Sequence, residues 1–150
     1  MIEVTGDLWT YPADFRVITT NGTVKRNGYA VLGRGCAREA TVRWPHLPRL
    51  LGGLLQRQGN HVHFIERERL GPGEMRGLFT FPVKHEWHEK ADLALIARSV
   101  AELRAQLLGS AVYVLPRPGC GNGGRSWAEV RPLLVALPDT AHVIDFGTAG

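Results

Sequence analysis

Short β-like runs alternate with helical patterns along this 150-residue chain, and that alternation restricts the fold more than any other feature. Ile2–Thr5, Val17–Thr20, Val62–Ile65, Leu78–Val83, Ala111–Leu115 and His142–Phe146 are each apolar or alternating. Gly, Pro, Asn or Asp bounds every one, as at strand ends. Cys36–Val42 and Leu47–Gln58 read as two helices, broken at Trp44-Pro45 because a residue before proline avoids the helical region. Asp92–Leu108 is the clearest helix, with Leu95, Val100, Leu103 and Leu107 on one face. A last helix opens at Ser126-Trp127-Ala128-Glu129, a capping box in which Ser126 and Glu129 satisfy each other's backbone N–H groups. Strands separated by helices predict an α/β fold, with a mostly parallel or mixed sheet and helices on both faces. The Gly71–Gly77 stretch reads as a turn or hairpin connection, and residues 1–150 as a single domain.

Composition removes several classes. At 44% hydrophobic and 21% charged residues the chain is too apolar for disorder. It holds no run of about 18 apolar residues, so no membrane span is expected. Met1-Ile2-Glu3-Val4 lacks the basic and apolar regions of a secretion signal. Cys36 and Cys120 are too few for a disulfide scaffold or a four-cysteine zinc site, and a reduced, cytoplasmic setting is expected. The net charge is +4, with 15 arginines against only Lys25, Lys84 and Lys90. The planar guanidinium fork suits phosphate or carboxylate, so the bias fits an anionic partner, and it equally fits a GC-rich coding bias.

Seven of the 18 glycines cluster in two loops. Asn27–Ala37 lies between the second strand and a helix, and Pro116–Arg125 lies between the fifth strand and the capped helix. A glycine lets backbone approach a ligand, and a helix start adds free N–H groups and a positive dipole end. One such loop is most simply a tight turn. Two with the same placement suit a diphosphate held from both sides, at the strand ends where open α/β sheets bind ligands. Neither is a G-x-x-x-x-G-K-[ST] loop, and no G-x-G-x-x-G follows the first strand, so kinase, NTPase and dehydrogenase readings lose their main support.

Four ordered motifs resemble the macrodomain family. Gly6-Asp7-Leu8-Trp9 resembles its opening motif. Asn21 followed by Gly33-Arg34-Gly35-Cys36-Ala37 is similar to its first ligand loop. Pro116-Arg117-Pro118-Gly119-Cys120-Gly121 resembles the second loop of the branch holding terminal ADP-ribose glycohydrolase and the DNA ADP-ribosyl glycohydrolase antitoxins. Phe81-Pro82-Val83-Lys84 with Trp87, Gly123-Gly124 and Trp127 is similar to the antitoxin group. The resemblance spans nearly the whole chain and implies a three-layer α/β/α fold that binds ADP-ribose.

It also implies roles. Asp7 would accept from the adenine amino group, with the Leu8 backbone beside it. Asn21, Gly33, Arg34 and Gly35 would meet the distal ribose and diphosphate, and Gly119, Cys120, Gly121, Asn122 and Gly123 the opposite phosphate wall. Phe146 either stacks on adenine or fills the core. Lys84 would be the catalytic lysine. A lysine amine freed of its proton can act as nucleophile, and a charged one can stabilise a departing base. The terminal glycohydrolase group carries a catalytic aspartate where this chain has Gly123, and the antitoxin group lacks it, which favours a nucleobase adduct over a protein carboxylate. Glu86 and Asp92 follow Lys84, as helpers or as surface and helix-start acids.

The histidine pairs His61/His63 and His85/His88 lack a third ligand, so no metal and no cofactor is expected. Cys36 and Cys120 sit in the two loops, as reactive thiols or, more simply, as packing residues. Three functions follow: a monomeric glycohydrolase freeing ADP-ribose from a modified nucleobase, as in ADP-ribosylated DNA; a non-catalytic reader of ADP-ribose or a related nucleotide; or a plain nucleic-acid binder with steep salt dependence.

Overall fold

The computed structural model describes residues 1–66, 77–107 and 109–146. Of the Gly71–Gly77 connection only Gly77 lies among them. In chain order the elements are β1 (Ile2–Thr5), β2 (Phe15–Asn21), α1 (Gly35–Arg43), α2 (Leu47–Gln58), β3 (Phe64–Glu66), β4 (Gly77–Lys84), α3 (Leu93–Gln106), β5 (Tyr113–Pro116), α4 (Trp127–Leu134) and β6 (Ala141–Asp145). They match the sequence pattern, with most boundaries displaced by one or two residues. The six strands form one sheet in the order β1-β6-β5-β2-β4-β3. All neighbours are parallel except the β3–β4 pair at the edge.

Successive side chains of a strand face opposite sides, and each side of this sheet has its own core. Val17, Phe79, Phe81, Leu115 and Val143 pack with Ile96, Val100 and Leu103 of α3 and Val130 and Leu134 of α4. Their neighbours Ile18, Leu78, Val114 and Ile144 pack with Cys36, Ala37 and Ala40 of α1 and Leu47, Leu51 and Leu55 of α2. The result is a three-layer α/β/α sandwich. Because β2, β4, β5 and β6 run in parallel, their C-terminal ends open at one edge.

Local chemistry sets the helix starts. Asp92 caps α3, its carboxylate accepting from Ala94 N and Leu95 N. Ser126 caps α4 by accepting from Glu129 N, while the Glu129 carboxylate turns to Arg125 at 3.4 Å. At Gly52 in α2 a Cβ would overlap the Gly28 carbonyl and lie 2.9 Å from Ala30 N. That close approach seats the segment leading into the first glycine loop.

Candidate ligand-binding site

A cleft of about 1230 Å³ opens at the C-terminal strand ends. Its first wall follows β2. Asn21 donates from Nδ2 to Val31 O at 2.9 Å and accepts from Thr23 N at Oδ1, so its amide shapes the loop whose edge it lines. The chain then passes through Gly33 and Arg34 into α1. No side chain caps α1 and no acid sits in its first turn, which leaves unshared N–H groups at a positive helix end. Gly35 has φ +68°, a left-handed conformation that favours glycine, and a Cβ on Gly33 would meet nothing within 4 Å.

The second wall follows β5. Here the glycines divide by task. Gly121 faces open space. Gly119 has φ +74°, and a Cβ there would lie 2.9 Å from both Ala91 and Ile96. A Cβ on Gly123 would lie 2.6 Å from Gly119 O. The loop is fixed by Arg125 N to Gly119 O at 2.9 Å, Ala91 N to Gly123 O at 2.9 Å and Arg125 Nε to Ala91 O at 2.7 Å. These bonds tie the second glycine loop to the segment between β4 and α3.

Lys84 ends β4 and lines the cleft between the two walls. Its Nζ donates to Trp87 O at 3.2 Å, and its own carbonyl accepts from Asn60 Nδ2 at 3.0 Å. The two acids that follow it are committed elsewhere. Glu86 accepts from the Thr23 hydroxyl at 2.6 Å. Asp92 caps α3 and accepts from His85 at 2.8 Å, and that hydrogen bond, with the cap N–H groups, holds its carboxyl below the usual range. Among the described lining residues stand five cations (Lys25, Arg34, Lys84, Arg117, Arg125) and two carboxylates (Glu89, Asp145). The balance suits an anion.

Arg34, Gly33, Gly35, Gly119–Gly123 and Phe146 also line the cleft. Phe146 is 53% exposed, so it is a rim residue and not a core aromatic. Asp7 and Leu8 lie outside the lining. Leu8 is wholly buried, with its carbonyl taken by Arg16 Nε at 2.7 Å, and Asp7 Oδ1 accepts from Trp9 N at 2.7 Å. Both stay close to the β6 end, because Gly6 N donates to Asp145 O at 3.0 Å. Burial pushes the Cys36 thiol up, and it lies 3.4 Å from Thr19 Oγ1; burial also raises the half-buried Cys120. The histidines go separate ways: His61 to Glu102, His63 to Gly59 O, His85 to Asp92, and His88 edge-on to Trp87.

Sequence reasoning missed several residues. Arg16 is buried and donates to the carbonyls of Leu8, Trp9 and Tyr11 at 2.6–3.1 Å, fixing the turn that carries Asp7. Arg117 lies over the Trp127 ring at 4.6 Å and pairs with Asp145 at 3.5 Å, bracing the cleft floor. Thr23 joins the first loop to the Lys84 segment through Trp87 N and Glu86. Arginine in the second motif and tryptophan after the capping serine were visible signals; Thr23 and Arg16 had none.

Sheet order, opposed glycine loops and the cleft at the strand ends define a macrodomain fold. Comparison with solved structures agrees. The chain is similar to the macrodomain of Mycobacterium tuberculosis DarG, with 27% identity, a TM-score of 0.80 and 96% of both chains covered. It is similar to the macrodomain of Thermus aquaticus DarG at 23% identity and a TM-score of 0.77, covering 97% of this chain and 96% of that one. Thermosipho africanus DarTG in complex with ADP-ribose matches at 16% identity and a TM-score of 0.73, over 93% of this chain and 39% of that chain. No family model and no curated protein sequence matches. The macrodomain family that the motifs resemble is therefore the one its structural neighbours belong to, DarG macrodomains among them.

Proposed function

We propose that this chain binds ADP-ribose in the cleft and releases it from a modified nucleobase, with Lys84 as the catalytic residue. The observation that carries the reading is Lys84 on the cleft wall between two glycine loops, one of which fits no side chain at Gly123. The diphosphate would lie between the Gly33–Gly35 backbone and the Gly119–Asn122 backbone, where N–H groups and the α1 dipole meet its charge. Adenine would lie toward Asp7 and Phe146 at the β1–β6 end, and the distal ribose toward Asn21 and Lys84. The similarity to a protein solved with ADP-ribose supports this ligand.

The reaction breaks the bond from ribose C1″ to the base. Water supplies oxygen to C1″ and a proton to the departing base. Lys84 contributes either as an amine that attacks C1″ and is displaced by water, or as an ammonium that stabilises charge on the base. Gly123 bears on the substrate. A Cβ there would fall 2.6 Å from Gly119 O and 2.7 Å from Gly119 Cα, so an aspartate would have to displace the loop. A protein-linked ester that needs such an acid is the poorer substrate.

The same feature favours a second reading, a non-catalytic reader of ADP-ribose. Incubation with ADP-ribosylated DNA and with ADP-ribosylated protein, followed by detection of free ADP-ribose, separates them. Release from DNA supports the enzyme; binding without release from either supports the reader.

A further inference from the structure

The indole of Trp87 is 57% exposed, a costly arrangement for so large an apolar ring, yet its backbone is firmly held. Trp87 N donates to Thr23 Oγ1 at 2.9 Å and Trp87 O accepts from Lys84 Nζ at 3.2 Å. The segment around it is fixed by Gly22 N to His85 O at 3.0 Å and Asp92 N to Val83 O at 2.9 Å. The His88 ring meets the indole edge-on, 5.5 Å between centroids at 88°. Among the described residues, Trp87 and Phe146 are the only exposed large hydrophobic side chains that line the cleft. They stand on opposite sides of it. Phe146 follows β6 and Trp87 follows β4, with β5 and β2 between. Three strand spacings separate those strands, ~14 Å.

A substrate made of ADP-ribose joined to a nucleobase has an aromatic ring system at each end. The ring beyond the distal ribose emerges where Lys84 stands, beside an indole that is more than half exposed and met edge-on by His88. We propose that Trp87 is the platform on which the modified nucleobase stacks, and thus a residue that selects nucleobase adducts over adducts of protein side chains. The inference rests on the reading that this cleft holds ADP-ribose with its distal ribose at Lys84. Stacking on an indole needs only a flat π face and no particular base edge. The surface therefore selects for an aromatic leaving group without specifying which base. It also aligns the bond to be broken, because the carbonyl that holds the Lys84 amine belongs to the same residue as the ring.

The test uses a single-stranded oligonucleotide with one ADP-ribosylated base, and free ADP-ribose as the reference. In a Lys84→Ala background, which removes turnover, adding Trp87→Ala weakens oligonucleotide binding about ten- to hundredfold, the range for one lost base stack. Binding of free ADP-ribose stays within about threefold on the same scale. With Lys84 present, Trp87→Ala raises KM for the oligonucleotide by a similar factor and Trp87→Phe restores most of it. Equal loss for oligonucleotide and free ADP-ribose overturns the proposal, since Trp87 then belongs to the ADP-ribose site. Unchanged oligonucleotide binding overturns it as well. Failure of the functional reading looks different: unmodified protein binds ADP-ribose yet releases none from the oligonucleotide, while the binding comparison still decides the role of Trp87.

Discussion

Gly123 and Gly121 lie two residues apart in one loop, and substitution should separate them completely. At Gly123 an added Cβ falls 2.6 Å from Gly119 O, about 0.8 Å inside the 3.4 Å where ordinary contact begins. The obstacle is backbone, and it cannot retreat. Gly119 has φ +74° with Ala91 and Ile96 behind it, so any shift pushes the loop into the α3 core. Overpacking of this kind costs about 1–3 kcal/mol. For a chain of this size that lowers Tm by roughly 2–12 °C, at 2–4 °C per kcal/mol. At Gly121 nothing lies within 4 Å, so Gly121→Ala should change stability by no more than about 0.5 kcal/mol. Gly121→Val should also fold, while its branched side chain fills diphosphate space and abolishes ADP-ribose binding. Thermal denaturation followed by calorimetric titration measures both. The reasoning is refuted if Gly123→Ala melts with unmodified protein and binds normally, or if Gly121→Val binds ADP-ribose unchanged.

Two further outcomes follow from titrating groups. Asp92→Ala removes the α3 cap and should cost about 1 kcal/mol at pH 7. The folded Asp92 carboxyl is held low by His85 and by the cap N–H groups, so its contribution is present above the unfolded value of about 3.9 and is lost as pH falls through the folded one. Urea midpoints of the two proteins should accordingly converge in acid. Burial raises both thiols, with Cys36 8% exposed and Cys120 on the cleft. A maleimide should label Cys120 first, slowly at pH 7, and ADP-ribose should protect it; faster labelling of Cys36, or no protection, contradicts the site.

The layers were legible because core side chains alternate along the strands: Val17 and Ile18, Leu78 and Phe79, Val114 and Leu115 each divide between the two cores. Errors came where tertiary contacts override local pattern. The second strand reads as starting at Val17, yet Arg16 lies inside β2 because the carbonyls of Leu8, Trp9 and Tyr11 absorb its donors. Val62 reads as strand, but its N–H goes to the Glu102 carboxylate 40 residues away, and β3 starts only at Phe64. The antiparallel edge pairing of β3 left no trace in composition. At the site, the glycine loops and Lys84 were visible as motifs. Which glycines face open space and which meet backbone was not, because Gly121 and Gly123 look alike until Gly119 is folded beneath one of them. The exposure of Trp87 depends in the same way on Thr23, 64 residues distant.

The central claim is that Lys84 performs chemistry on a ligand that the rest of the cleft binds. Its direct test is release of ADP-ribose from a modified oligonucleotide by unmodified protein, Lys84→Ala and Lys84→Arg, with ADP-ribose affinity measured in parallel. Backbone donors and the adenine end supply most of the binding, so Lys84→Ala should keep affinity within about tenfold, or 1.4 kcal/mol. It should lower kcat by orders of magnitude, because the lysine acts on bonding or charge that develops in the transition state. Arginine keeps the charge without a nucleophilic amine: an inactive Lys84→Arg assigns covalent or proton-transfer chemistry, and a partly active one assigns electrostatic stabilisation. Release by Lys84→Ala at the unmodified rate, or none by the unmodified protein, would contradict the account.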